Sequence, residues 1–117
     1  MKYREVAELV ASESDSVAAS ASVAAGLAVL AGIAAADAAC CGALGRRGRG
    51  QDHKQAVALL AQIEPGGREV SRHLERLLDV KDAAHYGVIN VRSAELRRAL
   101  RSAERLVEFA RDVLARG

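Results

Sequence analysis

From Ser16 to Ala36 the chain reads SVAASASVAAGLAVLAGIAAA, 21 residues without a charge. Length alone would let such a run cross a bilayer. Its content points elsewhere. Only Val17, Val23, Leu27, Val29, Leu30 and Ile33 are strongly apolar, and the remaining Ala, Gly and Ser gain little in lipid. Asp37 follows at once, and the preceding KYREVAELVASESD is too acidic for the start of a signal peptide. A helix apolar on every side is also what the centre of a soluble bundle requires. The expectation is therefore a buried helix and no membrane partner. Ala25, Ala28, Gly32 and Ala36 lie along one flank, where neighbouring helices can approach closely.

With 117 residues the chain makes one domain, 1–117, and buries a modest core. Alanine is abundant and strand formers are few, so the fold class is all-α. The pattern predicts about five helices. The first covers Tyr3 to Ala11, with Val6, Leu9 and Val10 inward. SESDS then offers Ser12, Ser14 and Asp15 as N-caps for a second helix that ends at Cys41 or Leu44. Gly42, Gly45, Gly48 and Gly50 break it. Asp52 caps a third helix, HKQAVALLAQI, and EPGG (64–67) turns the chain into a fourth from Arg68 to Ala84. Ser93 caps the last, to Ala115, with Leu96, Leu100, Ala103, Leu106, Val107, Ala110 and Leu114 on its inner side. Short connections predict antiparallel neighbours and an up-and-down bundle. Apolar surface in excess of what short helices can cover predicts a homodimer.

Several functions are disfavoured by composition. Tyr3, Tyr86 and Phe109 are the only aromatics, too few to stack a single strand of bases. Cys40 and Cys41 are adjacent, unsuited to a mutual disulfide, and have no ligands at zinc spacing around them, so they suit a reducing cytoplasm and no metal or other cofactor is expected. Both read as small buried side chains. No phosphate-cradling glycine motif is present: GRRGRG has no strand before it. Residues 1–45 carry two Lys/Arg against five Asp/Glu, whereas residues 46–117 carry fifteen against ten. The second part therefore favours a phosphate-bearing partner. The densest basic cluster is RRGRGQDH. Its glycines let backbone approach a phosphate, and Arg46, Arg47, Arg49 and Lys54 can surround it with charge, with His53 in reach. The expected partner there is RNA or another phosphate, bound without sequence preference.

The order of helices, the small-residue second helix leading to a loop and "DH", and the segment LLDVKDAAHYGVINVRSAELRRALRSAERLVEFARDVL together resemble the HEPN superfamily of small helical domains over residues 15–115. The most specific part is Lys81, Ala84, His85, Tyr86 and Gly87, where many members carry a basic residue, a spacer, a small residue, an acidic residue or His, and Tyr-Gly. The resemblance implies one of two functions. Some members are metal-independent ribonucleases, often toxins paired with a nucleotidyltransferase-like antitoxin, and others are binding or scaffolding domains. The ribonuclease signature is Arg, four to six residues, then His. Arginine holds the phosphate, and histidine exchanges protons near neutrality. Arg46 and Arg47 stand at that spacing from His53, and Arg68 from His73. His85 has Leu78, Asp79 and Val80 at those places, with Lys81 closer. The candidate catalytic set is thus His85, Tyr86, Lys81 and His53.

Each has a plainer reading. His53 fits an exposed first turn, His73 a solvated face among Arg72, Glu75 and Arg76, and His85 with Tyr86 an anchor for a helix end. Arg97, Arg101 and Arg105 follow i, i+4 spacing and read as a solvated ion-pair face. The leading expectation is a homodimeric, nucleic-acid-associated or accessory domain without strong catalysis. The alternatives are the ribonuclease toxin and an unrelated helical protein-interaction module.

Overall fold

The computed structural model describes residues 2–45, 53–85 and 93–116, with side chains described from Ser20 in the first helix and to Asp82 in the third. The described residues form four helices: α1 Lys2–Leu44, α2 His53–Ala61, α3 Gly67–His85 and α4 Ser93–Arg116. The all-α class holds. The five-helix count does not, because the expected break at SESDS is absent and α1 runs unbroken for 43 residues. The reason is local. No Gly or Pro occurs between Lys2 and Ala25. A serine inside a helix costs only about 0.5 kcal/mol relative to alanine, which does not stop a run of good helix formers. Gly45 ends α1 in the left-handed conformation (φ 66°), its N–H donating to the Cys41 carbonyl at 3.0 Å. Asp52, the expected cap of α2, lies outside the described residues.

Pairing between helices fixes their directions. Gly32 packs against Leu106 and Gly42 against Leu114, so α1 and α4 run the same way. Arg105 meets Glu69 and Ser102 meets His73, so α3 runs against α4. His53 approaches Asp82 while Gly67 sits beneath the Leu60 carbonyl, so α2 and α3 form an antiparallel hairpin. Helices α1, α2 and α4 are therefore co-directional and α3 opposes them. This corrects the expected up-and-down order, since the connection from Leu44 to His53 joins two helices that point the same way. By the same register, residues 2–19 of α1 extend past the start of α4. The long axis of 63 Å matches α1 at about 1.5 Å per residue.

The core is asymmetric in residue size. Helices α2, α3 and α4 contribute Leu60, Leu74, Leu77 and Leu106, all essentially inaccessible. α1 contributes Ala28, Ala35, Ala36, Ala39 and Cys40. The flank Ala25, Ala28, Gly32 and Ala36 is buried as its spacing predicts. Gly32 is required there: a Cβ would run into the side chains of Leu77 and Leu106. On α4 the buried face is Ala99, Ser102, Ala103, Leu106, Phe109, Ala110 and Val113. It is rotated by about one residue from the expected face, which leaves Leu100 and Leu114 exposed. Gly66 (φ 94°) turns the chain between α2 and α3 against the ring of Phe109.

The uncharged run is not buried on all sides. Val23, Leu27 and Leu30 are each exposed by more than 60%. Ser20–Leu44 is long and apolar enough to cross a membrane by length and composition, and a third of its most apolar window is buried within the bundle. Cys40 is buried as expected, but Cys41 is exposed.

Candidate functional site

The sequence-predicted site residues converge on one end of the α2–α3 hairpin, as far as they are described. His53 opens α2 and is half-buried. Its Nδ1 lies 4.0 Å from Asp82 Oδ1 near the end of α3. Lys54 and Lys81 are exposed. His85 is the last residue of α3, one turn beyond Lys81. Its side chain, and the whole of Tyr86, Arg46, Arg47 and Arg49, lie outside the described residues.

Between the two helices runs an open groove of about 540 Å³ lined by His53, Lys54, Val57, Glu75, Leu78, Asp79 and Asp82. Glu75, Asp79 and Asp82 follow i, i+4, i+7 spacing, so α3 presents three carboxylates to one side. Against them stand Lys54 and, when protonated, His53. The groove is net negative at neutral pH. A phosphate entering it would meet more repulsion than attraction, unlike a site built to stabilise a dianionic transition state. Among the described residues no group of three or more His, Cys, Asp or Glu could hold a metal ion.

The sequence reading missed a second polar site. His73 does not sit on a solvated face. Its Nδ1 is 3.0 Å from the Oγ of Ser102, which is 1% exposed. The pair joins α3 to α4. Burial lowers the His73 pKa, with Arg76 and Arg105 adding to the effect and Glu69 opposing it. The neutral ring is thus favoured, and it can either accept from the serine hydroxyl or donate to it. The signal was available. His73 stands beside Leu74 and one turn from Val70 and Leu77, all core positions, and Ser102 is the one polar residue on the buried face of α4.

On the neighbouring surface Arg105 donates to Glu69 at 3.0 Å and Glu108 at 3.2 Å, an exposed ion-pair cluster of the kind expected for this row. Arg97 and Arg101 are exposed. A further groove, about 570 Å³, lies between α1 and α4. Its walls include Ala24, Leu27, Ala28, Ala31, Leu100, Ala103 and Val107, with Glu104, Glu108 and Arg111 on the α4 rim. It is apolar and continuous with the exposed Val23, Leu27 and Leu30. No protein-family model, curated protein or solved structure matches this chain.

Proposed function

We propose that this chain is a HEPN-like helical domain that acts as a homodimer in an accessory, nucleic-acid-associated role, without strong catalysis. The observation that carries the reading is the stripe Val23, Leu27, Leu30 beside the α1–α4 groove. Monomeric proteins rarely leave a contiguous apolar face of this kind in water, and such faces mark interaction surfaces. The carboxylate-lined α2–α3 groove supports the absence of strong catalysis. Phosphate contact then falls to the basic stretch Arg46, Arg47, Arg49 and Lys54, and a nucleotidyltransferase-like protein in the same cytoplasm is the proposed protein partner.

The test has two parts. Light scattering should give twice the chain mass of 12.3 kDa, and a clean monomer at high micromolar concentration sinks the homodimer. In a binding assay at about 50 mM salt, single-stranded RNA should bind without being cut, with log affinity falling against log salt no more steeply than about −3. Replacing Arg46, Arg47 and Arg49 by Ser should remove binding and keep the helical signal. Equal binding by parent and triple variant removes the loop from the account.

One geometric fact favours the ribonuclease alternative: His53 and the terminal turn of α3 carrying His85 share one end of the hairpin. Metal-independent RNA cutting that falls in His53→Ala or His85→Ala would replace the accessory reading with that one.

A further inference from the structure

The exposed stripe and the groove beside it fit one another. Val23, Leu27 and Leu30 are spaced i, i+4, i+7, the seam of a helix that packs on another helix. Beside them Ala24, Ala28, Ala31 and Ala103 leave a depression of about 570 Å³. Knobs and hole share one surface, so a two-fold axis across it makes the surface complementary to itself.

Size decides the direction of pairing. If two α1 helices lie parallel and in register, Leu27 meets Leu27, Leu30 meets Leu30 and Val23 meets Val23, while the alanines face empty space. If they lie antiparallel about Leu27, Val23 comes opposite Ala31 of the other copy and Leu30 opposite Ala24. Large side chains then fill small-residue gaps, as close packing requires. Electrostatics agrees. Antiparallel helices oppose their macrodipoles. They also keep Asp37 from facing its own copy, and they separate the N-terminal segments, where residues 2–15 hold Glu5, Glu8, Glu13 and Asp15 against Lys2 and Arg4. The part of α1 that extends past α4 would run beside the C-terminal half of the other α1 rather than beside its own counterpart.

We infer that two copies of this chain pack α1 against α1 in opposite directions about Leu27, each copy's Val23, Leu27 and Leu30 filling the α1–α4 groove of the other. The inference rests on the self-association proposed above and adds its face and direction.

The native protein carries its own reporter. Cys41 is exposed on α1, while Cys40 is buried and its thiol is pushed up to about 11, so a thiol-directed spin label at neutral pH marks Cys41 alone. Cys41 lies fourteen residues from Leu27. Two labels in the antiparallel pair should therefore be on the order of 40 Å apart at 1.5 Å per residue. In a parallel pair they would be within about 20 Å, given helix spacings near 10 Å. The expected result by pulsed electron–electron resonance is the long distance, lost in Leu27→Asp while the helical signal stays. A short distance, any other single distance, or a long one that survives Leu27→Asp overturns the inference but leaves self-association standing. A labelled protein that scatters light as a monomer overturns both.

Discussion

The two faces of α1 invert the usual relation between size and burial. On the inner face Ala25, Ala28, Gly32, Ala36 and Ala39 are buried, and on the outer face Val23, Leu27 and Leu30 are exposed. The inner face trades side-chain area for close approach: a glycine at 32 lets Leu77 and Leu106 lie against the α1 backbone, and the large side chains of that interface come from α3 and α4. The outer face has the area but nothing within one chain to cover it. Burying a Leu side chain is worth about 1.5–3 kcal/mol, so three uncovered large aliphatics in one stripe are a driving force held for another surface. The difference teaches that in a helix of Ala, Gly and Ser it is the smallest residues that mark the intramolecular interface.

The largest effect that would sharpen this contrast comes from the residues facing the inner side. Leu77→Ala should lower unfolding stability by about 2–5 kcal/mol in a denaturant titration, as expected for a fully buried leucine. Leu27→Ala, measured in solutions dilute enough to be monomeric, should change it by no more than about 0.5 kcal/mol. Equal losses would erase the distinction between the faces.

Next in size is the close approach itself. Gly32→Val should cost about 1–3 kcal/mol, because Leu77 and Leu106 have no room to yield. Gly26, whose added Cβ would meet nothing, is the control: Gly26→Ala should be neutral or slightly stabilising in the same titration.

The smallest effect concerns the α3–α4 joint that keeps Leu77 and Leu106 in place. Folding lowers the His73 pKa below its ordinary 6.5, so the unfolded chain binds the proton more readily. The stability linked to a neutral His73 is complete above about pH 6.5 and declines as pH falls through that value towards the folded pKa. His73→Gln, which can still bond Ser102, should show a flatter stability profile than the parent across that window. Profiles of equal slope would mean that the His73 ring does not report on the joint. Ser102→Ala should cost about 1 kcal/mol at neutral pH.

Much of this architecture was legible in the sequence because strong punctuation marks it. Pro65–Gly67 and Ser93 set the limits of α3 and α4 to within a residue or two, and the small flank of α1 was visible in its spacing. The remainder was hidden for physical reasons. Ser12, Ser14 and Asp15 look like caps, but a cap acts only where the chain turns, and nothing forces a turn there. An uncharged run has no polar face, so it gives no sign of which side meets water, and the exposure of Leu27 could not be read. Helix direction depends on the connection after Leu44, which helix periodicity does not encode. His73 was misplaced because its charged neighbours in sequence, Arg72 and Arg76, point away from the core position it shares with Val70 and Leu77. Of the candidate site, the meeting of His53 with the end of α3 follows from the α2–α3 hairpin. The three carboxylates of that groove were present in the sequence at i, i+4, i+7 and were passed over because attention fell on the cations.

The central claim, that the outer face of α1 is an interface rather than a bare surface, is tested most directly by the concentration dependence of unfolding. Association adds stability that grows with protein concentration. The thermal midpoint of the parent chain should rise across a hundredfold range of concentration, and that of Leu27→Asp should stay constant while its helical signal matches the parent. A parent midpoint that does not move, or one that moves equally in Leu27→Asp, would contradict the account.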